Sequence, residues 1–541
     1  MASTSLAQFF RKIADIWLTA SVHFDAFRAE PRAYLLAVKW CIKRKRVRAR
    51  GQFAPLLSQS PRAYRLWVLR EEQQGREFST KGHPPIIALI DMAANPDPKA
   101  LSITQRSLIA EGLSTLTMGS PQTPDLAAAI TQVEWDADPW LLPVSPGDRI
   151  EPGTASAYRN VIDETDARII YADDDLITGR RRAIPHFKPD WNAELFVHQD
   201  YLTGACIIQA NRADLQAVAG KEDWASRLVA KLAQKDRPPV HLHAMLHHRQ
   251  HRPMPRLPAR PLTIARDLPP ISVIVPTRNR VDLLRTCLDG VAEADYPHVE
   301  VIIVDNDSDD PDTLAYLAAL DPARHRVLHH AGAFNYSAIN NRGAGAAQGR
   351  LLCLLNNDIE TTDRDWLSIM ATQALRPEVG AVGARLLYPD GRIQHAGVVI
   401  GVGNAAGHAH RFLRPEEKGY FHRHSLPQFT IAVTAACLVV ERDKFMAVGG
   451  LNEVDFPIAF NDVDLCLRLN RKRWQSLYEP RATLIHHESV SRGLDRDPVG
   501  AARFASELAA LKRIWKTDEI YDPYHHPELS RASEQFAVAL K

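Results

Sequence analysis

Three apolar runs separated by helical patterns constrain the fold of this chain more than any other feature. Residues 271–277, 299–306 and 350–358 each read as a strand that is buried on both faces. Residues 280–294 and 312–320, which lie between them, carry apolar side chains at the helical period. This alternation predicts an α/β fold with a mostly parallel sheet and helices on both faces.

Polar residues close each of these runs. The runs end in Thr277-Arg278-Asn279, Asp305-Asn306-Asp307 and Asn356-Asn357-Asp358. Ligands of open α/β sheets bind at the carboxyl ends of the strands, so these residues are expected to share a site. The Asp305 carboxylate could accept hydrogen bonds from a nucleotide base or a ribose hydroxyl, but it could equally cap the next helix. No glycine-rich phosphate loop follows the first run, so a bound diphosphate would need a divalent cation to balance its charge. Asp358 is the best candidate ligand for such a cation, but it could also be a turn residue.

Several longer strings follow one another in order over residues 270–493. They are ISVIVPTRNR (271–280), VIIVDNDSDD (301–310), FNYSAINNRGAGAAQGRLLCLLNNDIE (334–360), GRIQHAGVVIG (391–401), AGHAHR (406–411), VGGLNE (448–453), AFNDVDLCLRL (459–469) and HHESVSRG (486–493). Together they resemble glycosyltransferase family 2 enzymes of the GT-A fold. Within that family they resemble the rhamnosyltransferase-like, two-domain members that build bacterial surface polysaccharide such as O-antigen.

The resemblance implies a donor site and a metal site. The donor site would comprise Thr277, Asn279, Asp305, Asn341, Arg342, Asn356 and Asn357. Asp358 would be the principal ligand of Mn²⁺ or Mg²⁺, and His486 or His487 would complete the set, although His487 could equally pack. The family's Asp-x-Asp motif keeps only its last acid here, so we expect weakened metal dependence rather than lost function.

The resemblance also implies a general base, Asp462. It would take a proton from an acceptor hydroxyl as that oxygen attacks the anomeric carbon, and this single displacement inverts the centre. Asp464 is the rival base. It lies two positions along the same helix, so we expect it to point away and pair with Arg468.

The N-terminal half resembles the same family more faintly. PPIIALI (84–90) and TGACIIQANRADLQAVAG (203–220) parallel PPISVIV (269–275) and TAACLVVERDKFMAVGG (434–450) in the same order, which predicts a duplication. Its metal position retains one acid, Asp148, and the triplet Asp173-Asp174-Asp175 is interpreted as a solvated turn rather than a metal site. We therefore predict a degenerate GT-A-like domain that acts as scaffold, acceptor module or dimer surface, with a second active site as the alternative.

The predicted organisation has five parts. They are a basic helical segment (1–80), the degenerate domain (81–251), a Pro/Arg-rich linker (252–270), the catalytic GT-A domain (271–500) and a helical tail (501–541). The first 50 residues hold 11 Lys and Arg against 3 acids, typical either of a helix on an anionic membrane or of a packed helical hairpin. In the tail, DPYHHPEL (522–529) is expected to cover the acceptor cleft.

Composition limits the classes of partner and the cellular location that can be expected for this chain. A net charge of only +2 argues against nucleic acid. The 6 cysteines form no C-x-x-C pair and are expected to be reduced. Neither a signal peptide nor an apolar run of about 18–20 residues is evident, which predicts a cytoplasmic protein, or one peripheral on the inner face of the membrane.

The resulting functional prediction is an inverting glycosyltransferase of the hexosyltransferase type. Its donor would be a nucleotide-sugar, dTDP-rhamnose first and UDP-sugars next, and its acceptor a saccharide carried on a lipid. The alternative is a non-catalytic pseudo-glycosyltransferase that binds saccharide or nucleotide in an assembly complex. Asn356 and Asn357 in the metal motif, and Asn461 in place of the family's usual Glu before Asp462, suggest this alternative. A homo-oligomer stays open.

Overall fold

The computed structural model describes residues 2–74, 84–93, 95–179, 181–233, 237–487 and 498–540. The chain begins with four helices: α1 (Ala2–Ala29), α2 (Pro31–Ile42), α3 (Arg46–Ser58) and α4 (Ala63–Gln74). Helix α4 ties this group to the rest of the molecule, because the Tyr64 hydroxyl donates to Asp175 at 2.5 Å and the Trp67 indole donates to Glu528 at 2.8 Å. The predicted helical N-terminal segment is confirmed.

A first sheet is built from the N-terminal half. Its strands are β1 (Ile86–Asp91), β2 (Ser114–Met118), β3 (Trp140–Val144), β4 (Arg149–Ile150), β5 (Ile169–Thr178), β6 (Arg181–His186), β7 (Cys206–Gln209) and β8 (Val240–Arg249). The helices are α5 (Pro98–Ala110), α6 (Leu126–Gln132), α7 (Thr154–Ile162), α8 (Ala193–His198), α9 (Arg212–Gln216) and α10 (Trp224–Leu232). The hydrogen-bonded order is β2-β1-β3-β7-β5-β8-β4, and β6 pairs with β5.

A second sheet is built from the C-terminal half. Its strands are β9 (Ile271–Thr277), β10 (Val299–Asp305), β11 (His325–His329), β12 (Leu351–Leu355), β13 (Ile359–Thr361), β14 (Val379–Leu387), β15 (Ile393–His395), β18 (Gln428–Thr430), β19 (Cys437–Glu441) and β20 (Gln475–His486), while β16 (Val398–Ile400) and β17 (Ala406–His408) pair separately. The helices are α11 (Val281–Ala292), α12 (Pro311–Ala319), α13 (Tyr336–Ala346), α14 (Trp366–Ala374), α15 (Arg442–Ala447), α16 (Asn461–Arg471) and α17 (Pro498–Trp515).

The two sheets share one topology. The second runs β11-β10-β9-β12-β19-β14-β20-β13, so each strand of the first sheet has a counterpart at the same place. The directions agree as well: β9–β10, β9–β12 and β14–β20 are parallel like β1–β2, β1–β3 and β5–β8, and β19 is antiparallel to both neighbours like β7. The predicted pair of tandem GT-A-like α/β domains is confirmed, but the sheets are mixed rather than mostly parallel, because β7, β19 and the edge strands β4 and β13 pair antiparallel.

The apolar runs become the central strands because both of their faces are covered. Every residue of β9 and β12 is buried, and their side chains divide between two hydrophobic clusters, one on each face of the second sheet. Helix α11 covers one face through Leu284, Cys287 and Leu288. On the other face α13 approaches closely at Gly343, where an added Cβ would lie 2.5 Å from Ile274.

The linker and the tail lie between the two sheets and against them. Residues 252–270 contain neither helix nor strand, as the composition predicts. After α17 the chain runs back to the first sheet, where the amide of Asp190 donates to the carbonyl of Pro523 at 2.7 Å. The domain boundaries themselves stay a prediction.

Candidate active site

A cavity of about 840 Å³ opens at the carboxyl ends of β9 and β12. Its wall is completed by the residues before β19, by the first turn of α16 and by the first turn of α17. The polar residues that line it are Thr277, Arg278, Asn279, Arg280, Asn356, Asn357, Asp358, Gln394, His408, Thr434, Asn461, Asp462, His486 and Arg503. The sheet therefore brings together two of the three strand ends that the sequence singled out, those at 277–279 and 356–358, whereas residues 305–307 do not line the cavity.

Asp358 and His486 meet on one side of the cavity. Strand β13 pairs with β20, with Ile359 opposite His486, and this register places Asp358 Oδ1 3.1 Å from His486 Nε2. Burial alone would raise the pKa of Asp358, but the His486 ring beside it outweighs burial and holds the pKa below its ordinary value. The carboxylate is thus kept charged in a mostly enclosed position.

Gln394 orients the His486 ring. Its side-chain oxygen lies 2.7 Å from His486 Nδ1, so this nitrogen carries the ring proton and Nε2 faces Asp358 as a lone pair when the ring is neutral. Asn356 Nδ2 lies 3.3 Å from the same Nε2. A histidine whose far nitrogen donates to a fixed oxygen is the usual arrangement of a metal ligand.

These residues fit a divalent cation. Asp358 Oδ1 and Asn356 Oδ1 are buried oxygens that make no hydrogen bond. Adjacent ligands that bind a metal at about 2.1 Å are separated by about 3 Å, which is the distance observed between Asp358 and His486. One carboxylate, one imidazole and an amide oxygen suit Mn²⁺ or a similar ion.

Asp462 lines the same cavity from the first turn of α16. Its Oδ1 accepts the amide of Val463 at 2.8 Å and its Oδ2 accepts the amide of Ala435 at 3.2 Å. Burial raises the pKa of Asp462 despite these donors. The carboxylate is therefore a stronger base than an exposed aspartate.

Asp464 faces away from the cavity, as its helical position predicts. It accepts hydrogen bonds from Arg468 Nε and from the Trp515 indole, both at 2.9 Å, and its side chain is almost fully buried. The expected pairing with Arg468 is confirmed. This geometry leaves Asp462 as the carboxylate of the α16 first turn that reaches the cavity.

The remaining sequence candidates divide into two groups. Thr277 and Asn357 line the cavity and bond to each other at 3.1 Å, and Asn279, also lining it, braces the loop before α12 through Asp309. The other four do not line it: Asp305 accepts Ser308, Asn341 holds the loop at Leu451, Arg342 is exposed, and the His487 ring lies 2.9 Å from Glu360.

Sequence reasoning missed other lining residues. Arg280, which follows the predicted strand end Thr277-Arg278-Asn279, stands inside a quoted motif and, with Arg278, adds positive charge beside the strand ends. Gln394 and His408 also stand inside quoted motifs, but only the folded chain brings them to His486 and the cavity wall. Arg503 comes from the tail helix α17, and no local pattern marks it.

The first sheet has an equivalent position with different contents. Arg149 pairs with His248 as Ile359 pairs with His486, so Asp148 and His248 are the counterparts of Asp358 and His486. His248 is instead held by Asp175 at 2.8 Å and Glu151 at 2.6 Å. Asp148 accepts the amide of Gln250, and burial raises its pKa to about 6.

The interpretation of Asp173, Asp174 and Asp175 as a solvated turn is wrong. The three residues lie within strand β5 and are at most 1% exposed. Buried carboxylates need partners, and each of these has a basic one. Lys188 and Arg252 pair with Asp174, Arg182 and His248 pair with Asp175, and His241 and His526 pair with Asp173.

The tail segment 522–529 does not line the cavity either. Its His526 lies 2.9 Å from Asp173, and Asp522 accepts the amide of Ile400 at 3.0 Å. Among the described residues of the tail region, those that line the cavity are Val499, Gly500 and Arg503 of α17. The expectation that DPYHHPEL covers the cleft is therefore wrong, and α17 takes that place.

Comparison with known proteins gives consistent matches. Residues 272–429 match the profile of the family described as "Glycosyl transferase family 2". The "Uncharacterized protein y4gI" of Sinorhizobium fredii is 36% identical over 440 residues, which are 72% of this chain and 48% of that protein. The "O-antigen biosynthesis protein RfbC" of Myxococcus xanthus is 34% identical over 408 residues, which are 67% of this chain and 31% of that protein.

A shorter match concerns a named enzyme. The "N-acetylglucosaminyl-diphospho-decaprenol L-rhamnosyltransferase" of Mycobacterium tuberculosis is 42% identical over 78 residues, 14% of this chain and 22% of that protein. The chain thus spans about half of the first relative, about a third of the second and about a fifth of this enzyme. Within the described residues, no helix is both long and apolar enough to cross a bilayer.

Proposed function

Residues 272–429 belong to glycosyltransferase family 2, and from that premise we propose that the chain transfers a sugar from a nucleotide-sugar donor to a saccharide acceptor in the synthesis of a cell-surface polysaccharide. One observation carries the proposal. Asp358, paired with His486, and Asp462 line one cavity at the carboxyl ends of the strands. A site with a cation-holding side and a basic side suits transfer between a diphosphate and a hydroxyl.

The donor would lie along the strand ends. Asp358 and His486, with the Asn356 side-chain oxygen, would hold Mn²⁺ or Mg²⁺, which when bound offsets the charge of the departing diphosphate. Thr277 and Asn357 present a hydrogen-bonded polar edge for the nucleoside part. Arg278, Arg280 and Arg503 add positive charge to a site whose Asp-x-Asp motif keeps only its last acid.

Asp462 would act as the general base. Its burial raises its pKa, so it accepts a proton more readily than an exposed aspartate, and the amides of Val463 and Ala435 fix its two oxygens. It would remove the proton of an acceptor hydroxyl while that oxygen attacks the anomeric carbon from the face opposite the diphosphate. One such displacement inverts the centre.

Rhamnose is the first candidate for the transferred sugar. The motif resemblance points to rhamnosyltransferase-like members, and one relative is named as a rhamnosyltransferase acting on a decaprenol-linked substrate. By the same argument the acceptor would be a saccharide on a lipid carrier. UDP-sugars are the next donors to test.

The N-terminal helices would place the enzyme at an anionic membrane. Large apolar side chains stay exposed along α1, α2 and the start of α3: Phe9, Phe10, Ile13, Ile16, Trp17, Phe24, Phe27, Leu35, Leu36, Ile42 and Val47. Exposed basic residues surround them, among them Arg11, Lys12, Lys43 and Lys45. An apolar face edged with positive charge is typical of helices that lie in a bilayer interface.

The membrane proposal can be tested by sedimentation with vesicles. We expect binding to phosphatidylglycerol vesicles that is weakened by salt and by Ile16→Ser with Trp17→Ser. Ile109→Ser, an equally exposed apolar residue on α5, serves as the control and should bind like the wild type. Binding that none of these changes alters would contradict the proposal.

The transfer reaction is tested by release of nucleoside diphosphate. Purified protein would be incubated with dTDP-rhamnose and UDP-sugars in Mn²⁺, with and without lipid-linked saccharide. We expect acceptor-dependent release from one donor that Asp462→Asn abolishes. If no donor is bound or cleaved, the non-catalytic alternative replaces the proposal.

A further inference from the structure

A second cluster of possible metal ligands lies outside the candidate active site, where the tail meets the first sheet. His241 and His243 stand two residues apart on strand β8, so both side chains project from the same face. His526 reaches them from the tail. One nitrogen from each of the three rings can be chosen so that all lie within 4.8 Å of one another.

Asp190 joins the two strand histidines. Its Oδ1 lies 3.1 Å from His241 Nδ1 and 2.9 Å from His243 Nε2. Ligands around a zinc ion bound at about 2.0–2.1 Å are separated by about 3.0–3.4 Å. The Asp190 oxygen therefore stands from each of the two nitrogens at about the separation that neighbouring metal ligands keep.

The surroundings of these three groups resemble an outer ligand shell. The other nitrogen of His241, Nε2, lies 3.1 Å from Asp173 Oδ1, so a carboxylate can hold the far side of the ring. The Tyr521 hydroxyl donates to Asp190 Oδ2 at 2.8 Å. Carboxylates and hydroxyls in this position orient metal ligands and raise their basicity.

His526 is the fourth possible ligand of the cluster. The ring is buried, and its Nε2 makes no hydrogen bond although it lies 2.9 Å from Asp173 Oδ2. Its Nδ1 accepts the amide of Glu528 at 3.0 Å. To bind a metal through Nε2, the ring would move its proton to Nδ1 and lose that bond, so His526 would be the weakest ligand.

We propose that His241, His243 and Asp190, with His526 from the tail, form a binding site for a transition metal ion of the zinc class. Imidazole nitrogens with one carboxylate favour such ions over Mg²⁺ and Ca²⁺, which prefer oxygen ligands. The site is open enough for an ion to enter, because the side chains of His243 and Asp190 are 34% and 29% exposed.

The metal would fasten the tail to the N-terminal half. Both His526 and Tyr521 come from the tail, whereas His241, His243 and Asp190 belong to the first sheet and its flanking loop. Helix α17, which precedes this part of the tail, lines the active-site cavity. Metal binding would therefore stabilise the segment that follows one wall of that cavity.

The test uses the full chain, stripped with chelator and titrated with Zn²⁺ by calorimetry. His243→Ala removes a half-exposed ligand, so the variant should fold. We expect it to weaken Zn²⁺ binding at this site at least tenfold, with a smaller loss for His526→Ala. His251→Ala, an exposed histidine outside the cluster, is the matched control and should bind like the wild type.

Asp358→Ala separates this site from the active site. We expect that variant to keep one Zn²⁺ equivalent that His243→Ala removes, and to show a Zn²⁺-dependent rise in melting temperature that is absent in His243→Ala. Zn²⁺ binding unchanged by His243→Ala, or no binding to the Asp358→Ala protein, would overturn the proposal. Neither result depends on the protein having transferase activity.

Discussion

The two sheets of this molecule share their strand order and direction but fill the same positions with opposite chemistry. In the second sheet Asp358 and Asp462 face a cavity, and Asp358 Oδ1 makes no hydrogen bond. At the equivalent position of the first sheet, Asp148 accepts the amide of Gln250, and His248 is held by Asp175 and Glu151. The comparison teaches that the shared backbone sets where a site can lie, whereas the side chains decide whether anything can bind there.

The contents of the first sheet suit a scaffold. Lys188 and Asp174 are a fully buried ion pair 2.7 Å apart, and the charges of Lys188, Arg252 and Arg249 hold the pKa of Asp174 well below its ordinary value against the effect of burial. Such a pair gives little net stability but is costly to break. The N-terminal half is therefore expected to support the catalytic half without performing chemistry of its own.

The largest expected effect is on kcat, and it should differ between substitutions in the two halves of the chain. Asp462→Asn should lower kcat by about 10² to 10⁴, because the proposed general base is removed while the amides of Val463 and Ala435 keep an acceptor. Asp148→Asn, at the position equivalent to Asp358, should leave kcat unchanged. An equal loss in the two variants would mean that the N-terminal half also takes part in catalysis.

The second effect is on the free energy of unfolding, and it should also differ between substitutions in the two halves. Lys188→Ala should lower the free energy of unfolding by about 3–5 kcal/mol, since it leaves the Asp174 charge buried with incomplete pairing. Arg280→Ala breaks a largely exposed pair with Asp282 in the second half and should cost no more than about 1 kcal/mol. Urea unfolding measures both, and similar small losses would show that the first cluster is not tightly packed.

A third effect depends on pH. Asp148 has a folded-state pKa of about 6, above the value of an unfolded aspartate. Its charge therefore destabilises the fold above pH 6, and the penalty disappears as the pH falls towards 4. Asp148→Asn should raise the unfolding free energy at pH 8 by up to about 3 kcal/mol and by clearly less at pH 5. A gain independent of pH would contradict this assignment.

The smallest effect concerns the ring of His486. Gln394→Ala frees the His486 ring, so metal-dependent nucleotide binding should weaken by about 10- to 100-fold. The exposed Gln348 provides the control, and Gln348→Ala should bind like the wild type. Equal binding by all three proteins would show that His486 needs no support.

Most of the fold could be predicted from local patterns. The runs that form β9, β10 and β12 are continuous and apolar because both faces of these strands are covered, and this leaves a clear trace in sequence. The paired strings at 203–220 and 434–450 became β7 and β19, which occupy equivalent places in the two sheets. Local periodicity and repetition were sufficient for these features.

The site could be predicted only in part. Motifs mark the ends of β9 and β12 and Asp462, which line the cavity, but they also mark Asp305, Asn341, Arg342 and His487, which do not. Gln394 and Arg503 were missed, since their proximity to the cavity depends on pairings between distant parts of the chain. Asp173 to Asp175 were misread because three successive acids look solvated, and their basic partners lie as far away as His526.

The central claim, that the second sheet holds a metal-dependent donor site and the first does not, is tested most directly by calorimetry. Wild type, Asp358→Ala and Asp148→Ala would be titrated with dTDP, UDP and GDP, with and without Mn²⁺. The account predicts Mn²⁺-dependent binding of one nucleotide per chain, lost in Asp358→Ala and retained in Asp148→Ala. Binding that survives Asp358→Ala, or no binding by the wild type, would contradict it.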